Sequence, residues 1–322
     1  MINTINYLND KISIDKLKPY TKNQEILEEL SYLEIPQIIE GDVQELEDND
    51  TFICDTDLIV FSTSNSLDEN YLQFHVYDQE IDDFVIHHDV FVFSSINDAE
   101  YLKLQDNHYV ALATFEKNIM IYDSLVFNPL APQILLKGHN EGVMCVKMIG
   151  DKLLSGSEDK TVIEWDLEVS KPRQVFDAGL KVEKMAGFLF CSESNKIKNI
   201  NTGLEFNLDG TVENMVSIDN NLYLTTSTGH FISYDLRNMN SPAFSHKYSE
   251  VGITGLDVLK DKIGMCSESG EIIILEKSDF EVKNFEKIKS TLYSIKMHEN
   301  NLIFYGDDTD NLNMRKLKNN IF

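Results

Sequence analysis

Gly138-His139 is followed, after 25 intervening residues, by Trp165-Asp166, and between them runs Leu153-Leu154-Ser155-Gly156-Ser157-Glu158-Asp159-Lys160-Thr161-Val162-Ile163-Glu164. Two short runs rich in apolar and β-branched residues flank a polar turn, which reads as the hairpin of two strands. Outward from this unit the same ending recurs as Tyr77-Asp78, Tyr122-Asp123, Ile200-Asn201, Tyr234-Asp235, Leu275-Glu276 and a worn Arg315-Lys316, at steps of 34 to 45 residues. The run before the turn recurs in phase, for example as Leu222-Tyr223-Leu224-Thr225-Thr226, Ile263-Gly264-Met265-Cys266-Ser267 and Leu302-Ile303-Phe304-Tyr305-Gly306. Self-similarity at this period belongs to small sheets repeated around an axis, each burying its faces against its neighbours. The fold class read from the repeat is therefore all-β, a seven-bladed β-propeller with a short N-terminal helical extension.

The repeat unit resembles the WD40 family, in which a loop His, a Ser on the second strand, a turn Asp and a Trp on the third strand form a hydrogen-bonded tetrad. The matching positions are His139, Ser155, Asp159 and Trp165. Buried polar groups are tolerated when they satisfy one another, and such a network pins one strand register. The resemblance assigns these four residues a structural role.

Blades are expected to begin near Asp57, Asn97, Gly142, Leu180, Thr211, Gly252 and Thr291, so the propeller takes residues 51–322. The last blade is short, and the expected closure borrows an outer strand from Thr51 to Cys54 or from Val43 to Leu46, covering an open edge. Residues 1–50 form the extension. Thr21 and Gln24 are spaced as a capping box, Ile26, Leu27, Leu30 and Leu33 share one face, and Pro36 marks a stop, so a helix is expected over about 22–34. That face either packs on the ring or docks a partner. Glu40 to Asp50 holds six acidic residues and no basic one, as a linker would.

Composition narrows the function. A net charge of −26 disfavours wide contact with nucleic-acid backbone. Two local basic groups remain, Lys181, Lys184, Lys196 and Lys198, and Lys283, Lys287, Lys289, Arg315, Lys316 and Lys318, which read as solvated faces or as limited RNA contacts. No apolar run is long enough to span a bilayer and the first residues lack a secretory pattern, so an intracellular protein free of the membrane is expected. Cys54, Cys145, Cys191 and Cys266 form no paired motif and read as reduced.

No sequence motif specifies a reaction, a cofactor or a metal. His87-His88-Asp89 is the one cluster that suggests a metal, and neighbouring residues on a regular strand point to opposite faces, against shared chelation.

Several stretches resemble the periodic tryptophan protein 1 family of WD-repeat ribosome-assembly factors. They are Asp57-Leu58-Ile59-Val60, Tyr71 to Asp78, Phe84 to Val90, Tyr109 to Glu116 and Gly229-His230-Phe231-Ile232-Ser233-Tyr234-Asp235-Leu236-Arg237-Asn238 with Gly252-Ile253-Thr254. The chain departs from that family in keeping one tryptophan, in a shortened acidic insert and in lacking a charged C-terminal tail. The resemblance implies a non-catalytic scaffold of large ribosomal subunit biogenesis and rRNA processing in the nucleus and nucleolus. Its implied partners are assembly factors, ribosomal proteins and the precursor large-subunit particle, with the chain a monomer within the larger complex. Candidate contact residues are Ile26, Leu27, Leu30, Leu33 and Arg237. The alternative is a chromatin-associated or ubiquitin-ligase adaptor reading histone or substrate peptides, suggested by Tyr234-Asp235 followed by Arg237.

Overall fold

Strands buried on both faces read as unbroken apolar runs, and strands at a rim read as polar. The chain shows this gradient within each repeat: every residue of Leu302–Asp307 and of Lys262–Ser267 is buried, whereas all but one residue of Lys171–Asp177 is exposed. A computed structural model describes residues 1–8, 12, 17–33, 53–66, 69–192, 195–208 and 210–317.

Seven antiparallel sheets make the ring. Blades 2 to 6 each hold four strands, and their inner strands are Ile96–Leu104, Val143–Ile149, Val182–Ala186, Val212–Ile218 and Ile253–Leu259. Among the described residues blade 7 holds three, Leu292–His298, Leu302–Asp307 and Leu312–Lys316. Blade 1 runs Ile2–Tyr7, Leu58–Asn65, Asn70–Asp78 and Asp83–Val92 in spatial order.

The inner strand of blade 1 corrects the expected closure. All seven inner strands shift register after their first residue, at Ile2, Ile96, Val143, Val182, Val212, Ile253 and Leu292, so Ile2–Tyr7 carries the same bulge as the six others. The described residues close the ring through an N-terminal inner strand. Val43 to Leu46, and Thr51 and Phe52, lie outside the described residues; Ile53 is buried in the core cluster shared by blades 1 and 2. The division at residue 50 therefore does not hold: the propeller begins at Ile2, and the chain between Tyr7 and Leu58 is an excursion within blade 1.

Each seam between blades has its own apolar cluster. Across the closing seam Ile2, Ile5, Leu58, Val60 and Tyr77 meet Leu302, Phe304 and Leu312. Side chains near the bulge tie one blade to the carbonyl that opens the next inner strand. Asn3 donates to Ile96 O at 3.1 Å, Asn97 to Val143 O at 2.8 Å, Thr254 to Leu292 O at 2.7 Å and Ser294 to Ile2 O at 2.9 Å.

The expected helix is present but shorter, Gln24–Glu29, followed by a 3₁₀ turn at Ser31–Leu33. Its cap is Asn23, whose Oδ1 accepts from the N–H of Glu25 at 3.2 Å and of Ile26 at 3.4 Å, in place of the expected Thr21. Blade 2 has a short outer strand, Ile134–Leu136, and Ile26 and Leu30 pack into the cluster that holds Met120, Tyr122 and Leu135 of that blade. Lys18–Pro19 pairs in parallel with Val126–Phe127, Lys18 Nζ reaches Asp123 at 2.8 Å, and Lys137 Nζ reaches Glu29 at 2.7 Å. The excursion is thus fixed to blade 2 by backbone, charge and apolar contact together.

Candidate functional site

The four residues that the WD40 resemblance assigns to a tetrad lie together in the structure. His139 Nδ1 lies 3.1 Å from Asp159 Oδ2, and His139 Nε2 lies 2.7 Å from Ser155 Oγ, which Trp165 Nε1 approaches at 2.8 Å. One proton arrangement satisfies every group: the indole N–H donates to Ser155, the Ser155 hydroxyl donates to His139 Nε2, and His139 Nδ1–H donates to Asp159. Asp159 also accepts from Asn140 N–H at 2.8 Å, Thr161 N–H at 2.9 Å and the Thr161 hydroxyl at 2.6 Å. Burial pushes the His139 imidazole below its usual pKa against the pull of Asp159. Burial works to raise Asp159, but the donors gathered on it, Thr161 first, hold it below the usual carboxylate range.

This Ser-His-Asp order matches that of serine hydrolases, yet Ser155 is 0% exposed and its oxygen already accepts the indole N–H. A substrate carbonyl has no approach to it. The cluster holds strands together.

Blade 1 carries a second, altered copy that the sequence does not announce. Ser155 pairs across the inner strand with Val146, and Ser62 pairs equivalently with Ile5. Leu153 faces Trp165, two residues back from Ser155, and Val60 faces His75 in the same relation to Ser62. His75 therefore takes the place of the tryptophan, and its Nε2 lies 3.1 Å from Ser62 Oγ. Burial lowers the His75 pKa to about 4, so the ring is neutral. Tyr77-Asp78 is thus two residues out of phase with Trp165-Asp166.

The His-His-Asp stretch also departs from expectation. Phe74 pairs with His88 and His75 with Ile86, so His87 is the extra residue of a bulge. The rings of His87 and His88 meet, with their Nδ1 atoms 2.9 Å apart, instead of pointing to opposite faces. His88 stacks on Phe74 at 4.5 Å, and burial, with His87 beside it, lowers its pKa to about 3. Among the described residues no group of three or more His, Cys, Asp or Glu side chains gathers as a metal site would require.

The candidate contact residues divide. Leu30 is 1% exposed, Ile26 is buried, and Leu27 and Leu33 pack partly buried against the same cluster, so this helix face belongs to the core. Arg237 is exposed and braces its own turn, with Nε 2.9 Å and Nη2 2.6 Å from the Asp235 carboxylate. That bidentate grip holds Asp235 down to about pKa 2. The basic groups are largely neutralised as well: Lys181 pairs with Glu158, Lys196 with Glu205, Lys283 with Glu281, Lys287 with Glu271, Arg315 with Glu286 and Lys316 with Asp82. Cys145, Cys191 and Cys266 are buried free thiols pushed up to about pKa 12, which makes them poor nucleophiles.

The axial channel is the feature the sequence reading missed. The seven inner strands enclose a cavity of about 360 Å³. Asp98 accepts from the next blade's Val146 N–H at 3.2 Å and pairs with Lys147 at 2.9 Å. Asp257 likewise accepts from Met297 N–H at 2.8 Å and pairs with Lys296 at 3.1 Å. Burial works against both ammonium groups, and the facing carboxylates outweigh it and raise them. The available signal was a charge at the fifth residue of four inner strands, Glu100, Lys147, Asp257 and Lys296.

Ring, tetrad and seams define a WD40-type seven-bladed β-propeller. The chain is similar in structure to the WD40 β-propeller domain of Doa1, with a TM-score of 0.68 at 16% sequence identity over 80% of this chain and 88% of that one. No family model matches the sequence. Among the described residues no helix is long and apolar enough to cross a membrane.

Proposed function

We propose that this chain is a non-catalytic, protein-binding scaffold, and that the assembly it serves is the maturing large ribosomal subunit. The observation that carries the scaffold reading is the state of the polar groups that most resemble chemistry. Ser155, His139 and Asp159 are buried and engaged with one another, so the ring offers rigid faces in place of a reactive centre. Loops on a fixed core present binding residues without reordering cost.

The ribosomal reading is supported by the sequence likeness to periodic tryptophan protein 1, most specific around Phe84 to Val90 and Gly229 to Asn238. It places the protein in the nucleolus, beside assembly factors and ribosomal proteins. Contacts there run through protein, because the net charge is −26 and the local cations are paired with acids. The test is sedimentation of a tagged copy through a gradient, with precursor rRNA probed in each fraction. Co-migration with large-subunit precursors is expected. A tag found only among free proteins and nucleosomes overturns the ribosomal reading and favours the chromatin adaptor.

A further inference from the structure

We propose that the axial channel binds a single guanidinium on a short aliphatic stem, seated on Glu100. The fifth residues of the inner strands line this cavity, and its wall changes character around the ring. Blades 6, 7, 2 and 3 present Asp257, Lys296, Glu100 and Lys147, whereas blades 4 and 5 present Ala186 and Val216. The charges on the first arc do not close. Lys147 Nζ belongs to Asp98 at 2.9 Å and Lys296 Nζ to Asp257 at 3.1 Å, and each of those carboxylates also takes a backbone N–H from the next strand. Glu100 is left over. The one cation within 4 Å of it is Lys147, at 3.6 Å, beyond hydrogen-bond reach, and among the described residues no donor closes on its carboxylate. Burial, with Asp98 nearby, raises the Glu100 pKa against the pull of Lys147 and Lys296.

Among the described residues the lining carries four carboxylates and three ammonium groups, so one negative charge is in excess. A desolvated acceptor without donors costs free energy until a donor arrives. The channel admits one: the Glu100 side chain keeps 18% of its exposure and that of Lys147 30%, although the ring encircles both. The cavity, at about 360 Å³, has the volume of a small-ligand pocket. Its ligand must bring one positive charge, N–H groups for Glu100 and an apolar surface for Ala186 and Val216. A guanidinium meets the first two needs with a planar fork that matches a carboxylate, and its weak hydration lowers the cost of leaving water. Its stem lies along the apolar arc. An anion fits poorly, because Lys147 and Lys296 already hold carboxylates. Two sources carry this group, a free small molecule and an arginine of a partner chain. The inference goes beyond the scaffold reading and depends on no particular assembly.

The experiment titrates the full chain at roughly 0.15 M salt, which screens its acidic surface. The probes are butylguanidinium, its neutral isostere butylurea, and an end-capped pentapeptide with one arginine among alanines. Alanine and valine methyl resonances report where each probe binds. Butylguanidinium is expected to shift the methyl signals of Ala186 and Val216, and butylurea at the same concentration should leave them in place. Glu100→Gln keeps the shape of the side chain, removes its charge and should weaken butylguanidinium binding by about tenfold or more. If Glu100→Gln does not fold, the contrast between the charged and neutral probes on the unaltered chain decides. Tighter binding of the pentapeptide than of butylguanidinium assigns the group to a partner chain, and the reverse order assigns it to a free molecule.

Four results overturn the proposal. No binding of butylguanidinium or of the pentapeptide at millimolar concentration means that the channel takes no such cation. Equal binding of butylurea means that charge plays no part. Unaltered affinity in Glu100→Gln means that another group holds the probe, and shifts confined to methyls outside the channel mean that the probe sits on the surface. None of these bears on co-sedimentation with ribosomal precursors, so this proposal and the functional one can fail separately.

Discussion

Ser155→Ala removes one oxygen from the tetrad and leaves two polar atoms without a partner. His139 Nε2 and Trp165 Nε1 both depend on Ser155 Oγ, at 2.7 and 2.8 Å, and Ser155 itself is 0% exposed, so water has no ready route in. Each orphaned buried group costs ~1–3 kcal/mol, so the substitution should destabilise the chain by about 3 kcal/mol. Trp165→Phe removes the indole donor and part of a buried ring, and should cost about 2 kcal/mol. The double variant is the sharper measurement. Without the indole there is no second orphan, so its loss should fall short of the sum of the two by about 1 kcal/mol. Urea unfolding at fixed pH measures all three, by the fluorescence of the sole tryptophan in Ser155→Ala and by far-UV circular dichroism in the others. A Ser155→Ala loss below about 1 kcal/mol, or strict additivity in the double variant, would refute the linked-donor account.

Acid should weaken the fold before carboxylates titrate. His75 sits at about 4 in the fold against about 6.5 unfolded, so its stabilising share is complete above pH 6.5 and is lost as pH falls toward 4. By pH 4 the loss amounts to about 3 kcal/mol, and His75→Gln should flatten the stability–pH slope measured by urea titration between pH 6.5 and 4. Gly306→Ala would drive a Cβ into that of Ile2 across the closing seam; faster hydrogen exchange throughout Ile2–Tyr7 is the expected signature, and unchanged exchange there would count against the seam. Leu30→Ala should cost ~2–4 kcal/mol in urea if the excursion is part of the core, whereas a neutral effect on stability would return that helix face to the surface.

The legible part of this fold is the part with a short-range signature. Trp165-Asp166 and its copies announce third strands because the buried ring and the turn acid stand side by side in sequence, and the hairpins between second and third strands are local. The inner strand of blade 1 has neither advantage. It lies some fifty residues before the strand it joins, and its bulge places Ile2 and Ile5 three apart, which breaks the alternation that betrays a strand. The usable clue was the match of Ile2-Asn3-Thr4-Ile5 to Ile96-Asn97-Asp98-Ala99, two aliphatic openings followed by the asparagine that bonds the next blade. His75 was hidden for a related reason, since a histidine in the tryptophan position has no fixed pattern and the longer strands of blade 1 moved the ending by two residues. The meeting of His87 with His88 was beyond sequence altogether, because an extra residue in one strand leaves no local mark. Of the contact candidates, apolar periodicity found the helix face correctly but is blind to whether the cover over it is the chain itself.

The Ser294–Ile2 bond spans 292 residues of chain. During synthesis Ile2–Tyr7 leaves the ribosome ahead of every other strand of the ring and pairs within blade 1 once Leu58–Asn65 follows, yet one flank of that blade has nothing to lean on until the seventh blade emerges. Ile2, Val60 and Tyr77 lack their cover from Leu302, Phe304 and Leu312 until that repeat emerges. The last blade therefore acts as a keystone: its arrival converts a row of six half-supported sheets into a ring without ends, and a nascent chain stalled before Leu292 should present a sticky apolar flank that the finished protein never shows.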